Sequence, residues 1–173
     1  MRFILAITGT PGTGKSELAK ELSLLLGCHL IGLTAFIKEH DLSEGYDEQR
    51  DCQIVDSKSL NERLGPILKK AREDDKSVIV EGHLSQVMDP SLFDFCIVLH
   101  CSPAILKRRL EERKYSAEKI KENLECENLD ICGNEAEESG FKVLTADSSK
   151  TPSRAIARQI LKKILENSVS LHP

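Results

Sequence analysis

Short apolar runs rich in β-branched residues alternate along this chain with longer stretches in which leucine and isoleucine recur every three or four positions. The runs at residues 3–8, 29–31, 78–80, 95–99 and 141–144 predict five strands. The periodic stretches predict helices. One begins at Lys15, carries Leu18, Leu22, Leu25 and Leu26 on one face, and stops at Gly27. Thr34 is placed to cap a short helix over residues 35–40. Ser59 and Glu62 have capping-box spacing at the start of a helix with Leu60, Leu64, Leu68 and Ala71, which Gly65-Pro66 is expected to kink or break. Ser102-Pro103 opens a helix to about Arg113. Ser116 starts the next, with Ile120 and Leu124 four apart and helix again over Asp130–Gly133. Thr151-Pro152 opens the last, with Ile156, Ile160, Ile164 and Leu165 inward. Residues 41–56 are polar, acidic and contain Gly45, so they predict a loop or mobile insert. Strands alternating with helices predict an α/β fold, a parallel sheet wrapped by helices.

Composition narrows the class. A chain of 173 residues fits one domain, residues 1–173, and is long enough to bury its own core. A net charge of −4 gives no general attraction to nucleic acid, and the absence of Trp limits base stacking. No apolar run approaches a membrane span, so no membrane association is expected. Six cysteines stand without a CxxC pair, which disfavours a zinc ribbon and points to reduced thiols in a cytoplasmic protein.

The chemistry begins where the first strand ends. Gly9-Thr10-Pro11-Gly12-Thr13-Gly14-Lys15-Ser16 fits the phosphate-loop pattern G-x-x-x-x-G-K-[ST] in full, between a buried strand and a periodic helix. Glycines let backbone N–H groups converge on phosphate oxygens, the helix N-terminus adds positive potential, and Lys15 reaches the β- and γ-phosphates while Ser16 holds Mg²⁺. A dinucleotide-binding reading fails because Glu17 stands where a third glycine is required. A GTPase reading lacks an Asn-Lys-x-Asp guanine reader. Arg109 and Arg113 are four apart on one helical face, so they grip one polyphosphate or form a solvated face with Glu111 and Glu112. Glu81 and His83 stand at the end of the third strand, where α/β sheets bind ligands. Glu81 suits the surroundings of a bound Mg²⁺; His83 orients a water or the acceptor, or is a packed polar residue. The acidic insert meets a basic partner, reads an acceptor base through Asp56, or only solubilises. Arg154, Arg158, Lys162 and Lys163 on the last helix read as a solvated face, with RNA contact as the alternative.

Several of these segments together resemble one family. Gly9–Ser16, Gly45-Tyr46-Asp47-Glu48, Asp51-Cys52 with Ile54 and Asp56, Val80-Glu81-Gly82-His83, and Arg109-Leu110 with Arg113 and Tyr115 are similar to the adenylate kinase isoenzyme six family, also described as coilin-interacting nuclear ATPases. Asn123–Glu127 resembles the family's segment after the lid. The resemblance implies a three-layer P-loop NTPase fold with a five-stranded parallel sheet, a nucleoside-monophosphate-binding insert at about 33–56 and a short lid at about 112–122. It implies ATP-dependent phosphorylation of AMP, and of other nucleoside monophosphates, with ATPase activity. It also implies a role in small-subunit maturation through a small-subunit ribosomal protein, an indirect association with pre-ribosomal RNA, and a nuclear as well as cytoplasmic location in a eukaryote. Carried over by position, Gly12, Thr13, Gly14, Lys15, Ser16 and Glu17 bind ATP, Arg109 and Arg113 contact it at the lid, and Ser16 and Glu81 hold Mg²⁺. Lys15, Arg109, Arg113, His83 and Glu81 are then the catalytic set, and Lys38 and Asp56 face the acceptor. Two alternatives remain: a ribosome-assembly ATPase switch in which kinase activity is incidental, and a P-loop kinase for a small metabolite.

Overall fold

Period-two alternation along the strands builds both halves of the core. In β1 (Ile4–Thr8), Ile4 and Ala6 pack into one apolar cluster while Leu5 and Ile7 pack into another. The same split holds in β5 (Val78–Glu81), with Val78 and Val80 opposite Ile79, and in β6 (Phe95–His100), with Cys96 and Val98 opposite Ile97 and Leu99. Strands buried on both faces read as continuous apolar runs, as these do. With β2 (His29–Gly32) and β7 (Val143–Asp147) they form a parallel five-stranded sheet in the order β2-β5-β1-β6-β7. The computed structural model describes residues 2–47 and 52–169.

Helices cover both faces, giving three layers. On one side α1 (Lys15–Leu26) and α7 (Ser153–Val169) bury Leu18, Leu22, Ile156, Ile160 and Ile164 against Leu5, Ile7 and Ile97. On the other side α2 (Leu33–Glu39), α3 (Ser57–Glu73) and α6 (Ile131–Glu138) bury Phe36, Leu60, Leu64, Leu68 and Ala136. Each fully buried Leu or Ile contributes roughly 1.5–3 kcal/mol. Helices α4 (Pro103–Glu112) and α5 (Ala117–Asn128) form a smaller apolar contact through Leu106, Leu110, Ile120 and Leu124. Among the described residues, no helix is long and apolar enough to cross a membrane.

Several expectations are corrected. Residues 41–56 are not a loop. Strands β3 (Ser43–Asp47) and β4 (Cys52–Val55) pair antiparallel with a register irregularity between Ser43 and Gly45. Glu48, Arg50 and Asp51 lie outside the described residues. The α3 helix starts three residues early, because the Asp56 carboxylate and not a Ser59 box caps it, accepting from the Ser59 N–H at 2.8 Å. It also runs unbroken through Pro66. The preceding Gly65 has no Cβ to clash with the proline ring, and burial of Leu64 and Leu68 on either side holds the helix. Thr34 is inside the first turn of α2, which starts from Gly32. The fifth sheet strand is shifted two residues toward the C-terminus, to Val143. Leu25 and Leu165 are 40% and 39% exposed. At about 100° per residue, Leu25 sits about 60° off Leu22, and Leu165 about 100° off Ile164, outside the packed stripes. The helical stretch after Ser116 divides at Asp130, whose positive φ of 49° ends one helix and whose carboxylate caps the next.

Candidate active site

The parallel register brings the chemistry to one edge of the sheet. Ile7 pairs with Glu81 and the Gly82 N–H donates to the Ile7 carbonyl at 3.1 Å, so the ends of β1 and β5 stand side by side. This is the carboxyl edge of the parallel strands, where open α/β sheets form a ligand crevice. Gly9 turns the chain at φ 139°, and a Cβ there would stand 2.4 Å from the Leu99 carbonyl oxygen. Gly82 is required for a different reason: a Cβ would lie 2.8 Å from the Leu33 Cβ, so its absence lets α2 close on the strand end.

Lys15 begins α1 and is buried, 8% exposed. Its ammonium donates to the Gly9 carbonyl at 2.7 Å and the Thr10 carbonyl at 3.0 Å. Burial brings its pKa down to about 8, against the opposing pull of the Glu81 carboxylate. The group is therefore charged at neutral pH but poorly solvated. The Ser16 hydroxyl donates to Glu81 Oε1 at 3.2 Å. A hydroxyl and a carboxylate side by side at the helix start are hard oxygen donors of the kind Mg²⁺ takes, so the residues present fit that ion. His83 reaches solvent with much of its surface, yet desolvation in the cleft and, next, the Lys15 charge lower its pKa, favouring neutral imidazole.

Two cavities flank the loop. One, of about 300 Å³, is lined by Gly12, Gly14, Glu17, Arg109, Arg113 and the Thr151–Ser153 stretch. Arg109 holds its floor: the guanidinium donates to the Thr13 carbonyl at 3.2 Å and to the Ser148 hydroxyl and carbonyl at 3.0 and 2.9 Å. Ser148 in turn donates to the Thr13 carbonyl at 2.6 Å. The other cavity, about 880 Å³, contains Lys15, Ser16, Glu17, Glu81 and His83, and extends under Thr34, Ile37, Tyr46, Gln53 and Val55. Arg113 lines both. Gly12, Gly14 and Glu17 lie on both as well, and the buried Thr13 lines the smaller one.

The structure does not bring every expected residue to this place. Lys38 is exposed on α2 and outside the cleft lining, to which that helix contributes Thr34 and Ile37. Asp56 is turned to its own helix, and its hydrogen bonds from the Ser59 N–H and hydroxyl hold its pKa down. Other residues were not singled out from sequence. Gln86 is buried, hydrogen-bonded to the Thr8 hydroxyl and donating to Glu135 at 3.0 Å, and both Gln86 and Glu135 line the larger cavity. Glu127 lies behind the loop against His100. Cys132 also lines the cleft, its thiol pushed up to about 11 by burial. Contacts between residues this far apart in the chain leave no local signal. The cysteines at 28, 96, 101, 126 and 132 carry free thiols.

Comparison with known proteins agrees with this geometry. Residues 5–130 match the AAA domain family. The chain is 36% identical over 160 residues to a Methanocaldococcus jannaschii protein named "Putative adenylate kinase", covering 92% of this chain and 85% of that one. It is 36% identical over 135 residues to the "Adenylate kinase isoenzyme 6 homolog" of Caenorhabditis elegans, covering 78% and 72% respectively. The fold matches that of a shikimate kinase from Acinetobacter baumannii with a TM-score of 0.67 over 96% of this chain and 95% of that chain, at 14% identity. With a complete phosphate loop, its strand order and these relatives, the chain belongs to the adenylate kinase isoenzyme 6 family of P-loop proteins.

Proposed function

We propose that this chain is a nucleoside monophosphate kinase that moves the γ-phosphoryl group of ATP to AMP, yielding two ADP. The observation that carries the reading is the pair of cavities on the phosphate loop, which share Gly12, Gly14, Glu17 and Arg113, the larger one holding Lys15. ATP lies along the smaller cavity, its phosphates on the Gly12–Ser16 backbone and its base toward Ser148–Ser153. The acceptor enters the larger one over Glu81 and His83. Its phosphate oxygen is already an anion, so no strong base is required. Lys15 and Arg113 neutralise charge on the moving group, Arg109 fixes the donor side, and neutral His83 orients the acceptor or excludes water. Ser16 and Glu81 would hold Mg²⁺, whose chemistry here would be to offset phosphate charge. The insert at 33–56 covers the acceptor and the segment at 112–122 is the lid. Lys38 and Asp56 reach the acceptor only if the insert moves.

Water reaching the same phosphorus gives ATP hydrolysis, the second activity of the reading. The finer reading adds a basic small-subunit ribosomal protein as partner. Its support is the β3–β4 ribbon, where Tyr46 and Ile54 are 55% and 49% exposed beside Glu44. Such a partner detaches in high salt, since exposed charges are screened over about 8 Å at physiological ionic strength. The deciding experiment is ADP formation with and without AMP, CMP or a small hydroxyl compound. AMP-dependent ADP formation supports the kinase. ADP formation indifferent to every acceptor would replace it with the assembly-ATPase reading.

A further inference from the structure

One buried serine ties the end of β7 to the phosphate loop. Ser148 is 6% exposed, and each of its polar groups is engaged. Its N–H donates to the His100 carbonyl at 2.9 Å, and its own carbonyl accepts from Arg109 Nη2 at 2.9 Å. Its hydroxyl accepts from Arg109 Nη1 at 3.0 Å and donates to the Thr13 carbonyl at 2.6 Å. The His100 carbonyl is farther from that hydroxyl, at 3.1 Å, and already has the Ser148 N–H, so the single hydroxyl proton goes to Thr13. Arg109 Nη1 stands 3.2 Å from the same Thr13 carbonyl. A serine just past β7 and an arginine from α4 thus close on one oxygen of the loop.

That oxygen fixes a group the phosphoryl donor needs. A trans peptide is planar, so its carbonyl and the N–H that follows point in opposite directions. Drawing the Thr13 carbonyl toward Ser148 and Arg109 therefore turns the Gly14 N–H away from them. Gly14 lines both cavities, and its carbonyl accepts the Leu18 N–H at 3.1 Å at the start of α1. With a φ of 100° and no Cβ, Gly14 does little by itself to hold the orientation of that peptide. On its other side Thr13 is tied to the Thr10 carbonyl, through its N–H at 3.2 Å and its hydroxyl at 2.9 Å. Ser148→Ala would leave the Thr13 carbonyl to the longer Arg109 contact and would take one acceptor from that guanidinium.

We infer that Ser148 is a positioning residue for the phosphoryl donor. Its hydroxyl sets the Thr13–Gly14 peptide so that the Gly14 N–H meets the phosphates of ATP, and it joins the loop beside the donor base to the loop beneath the phosphates. The inference rests on the reading of the chain as an ATP-using kinase. The test is steady-state kinetics in both substrates, with ATP binding by calorimetry, on the wild type, Ser148→Ala, Ser148→Thr, Arg109→Lys and the double variant of Ser148→Ala with Arg109→Lys. Ser148→Ala should raise the KM for ATP about threefold to tenfold and weaken ATP binding to match, while the KM for AMP stays within about twofold. Ser148→Thr keeps the hydroxyl and should recover most of the loss. Arg109→Lys gives up the paired nitrogens that reach Thr13 and Ser148 together. Because both side chains act on the Thr13 carbonyl, the double variant should lose less than the product of the single losses. Unchanged ATP affinity in Ser148→Ala, equal rises in both KM values, or losses that simply multiply in the double variant would overturn the inference. So would a fall in active fraction alone with both KM values intact, the mark of a merely structural serine. Should Ser148→Ala not fold, Ser148→Cys, whose thiol is a weak donor, carries the same comparison. A wild type that binds no ATP overturns the kinase reading itself. A wild type that turns over ATP with AMP, beside variants equal to it, overturns only the role of Ser148.

Discussion

Lys15 shows how one side chain couples burial to binding. Its ammonium is satisfied by two loop carbonyls but shielded from water, which brings its pKa to about 8. Phosphate oxygens favour the charged form, so the bound pKa lies higher than the free one. Between the two values, binding must take up a proton. ATP affinity should therefore be flat from pH 7 to about 8 and then fall by up to about tenfold per pH unit. Calorimetry at pH 9 in buffers of different ionisation enthalpy should register that proton uptake; none would place the titration elsewhere. Arg109 and Arg113 differ in how they are held. Arg109 is engaged with the Thr13 and Ser148 backbone, whereas Arg113 is exposed and lines both cavities. Arg113→Ala should lower kcat on the order of 10²–10³, as for loss of one donor to transition-state charge, with a smaller effect on ATP binding. Single-turnover rates check it, and unchanged chemistry would assign Arg113 to a solvated surface.

At the scale of elements, the site depends on close approach. Helix α2 packs on the end of β5 because Gly82 has no Cβ to strike Leu33. Gly82→Ala forces overlap between a backbone-attached methyl and a fully buried leucine, and should destabilise by about 1–3 kcal/mol. Urea unfolding measures it. Leu33→Ala alone leaves a cavity, yet combined with Gly82→Ala it relieves the overlap, so the double variant should lose less than the sum of the singles. Additive losses would mean that the helix shifts freely and that its position is not set by this contact. The β3–β4 ribbon is held differently. It pairs with itself and not with the main sheet, which accords with its exposed, polar composition.

At the scale of the molecule, α5 meets the end of β6 in a pair, half-buried His100 and the buried Glu127 carboxylate, whose charge responds to pH. His100 lies between α5, α6 and the end of β7, and the Glu127 carboxylate foremost, then Asp130 and Asp147, raise its pKa. Burial pushes Glu127 up, but its contacts with His100, the Thr10 hydroxyl and the Cys101 N–H more than offset that and leave it lowered. The signs are opposite. The His100 contribution is complete below its unfolded value of about 6.5 and is lost as pH rises through the higher folded value. The Glu127 contribution is present above its ordinary value of 4.5 and is lost as pH falls through the lower folded one. His83, whose pKa is lowered, gives the opposite slope below about 6.5, so the His100 share is read by urea unfolding between pH 6 and 8 as the stability difference between wild type and His100→Asn, which should shrink as pH rises. A parallel slope in both would assign the effect to other groups.

The strands, the phosphate loop and most helix positions are local facts, so the sequence by itself determined them. A continuous apolar run at residues 4–7 is short enough to be a strand and can bury both faces only inside a sheet, and G-x-x-x-x-G-K-S between that strand and a 3.6-residue pattern has one known use. Lys15, Ser16 and Glu81 were legible because each sits at the end of its own periodic run. What only the tertiary structure decided are the meetings between distant segments. Asp56 looks like a substrate reader in a polar insert, but three residues on it finds the Ser59 N–H. Lys38 is on a helix whose other face lines the cleft. His100 lacks a partner in sequence and acquires Glu127 only when α5 folds back on β6. Gly65-Pro66 reads as a break, and burial of Leu64 and Leu68 overrides it. Local propensity amounts to a kilocalorie or so per residue, roughly three for proline. A packed leucine contributes as much, and its neighbours are chosen by the whole chain.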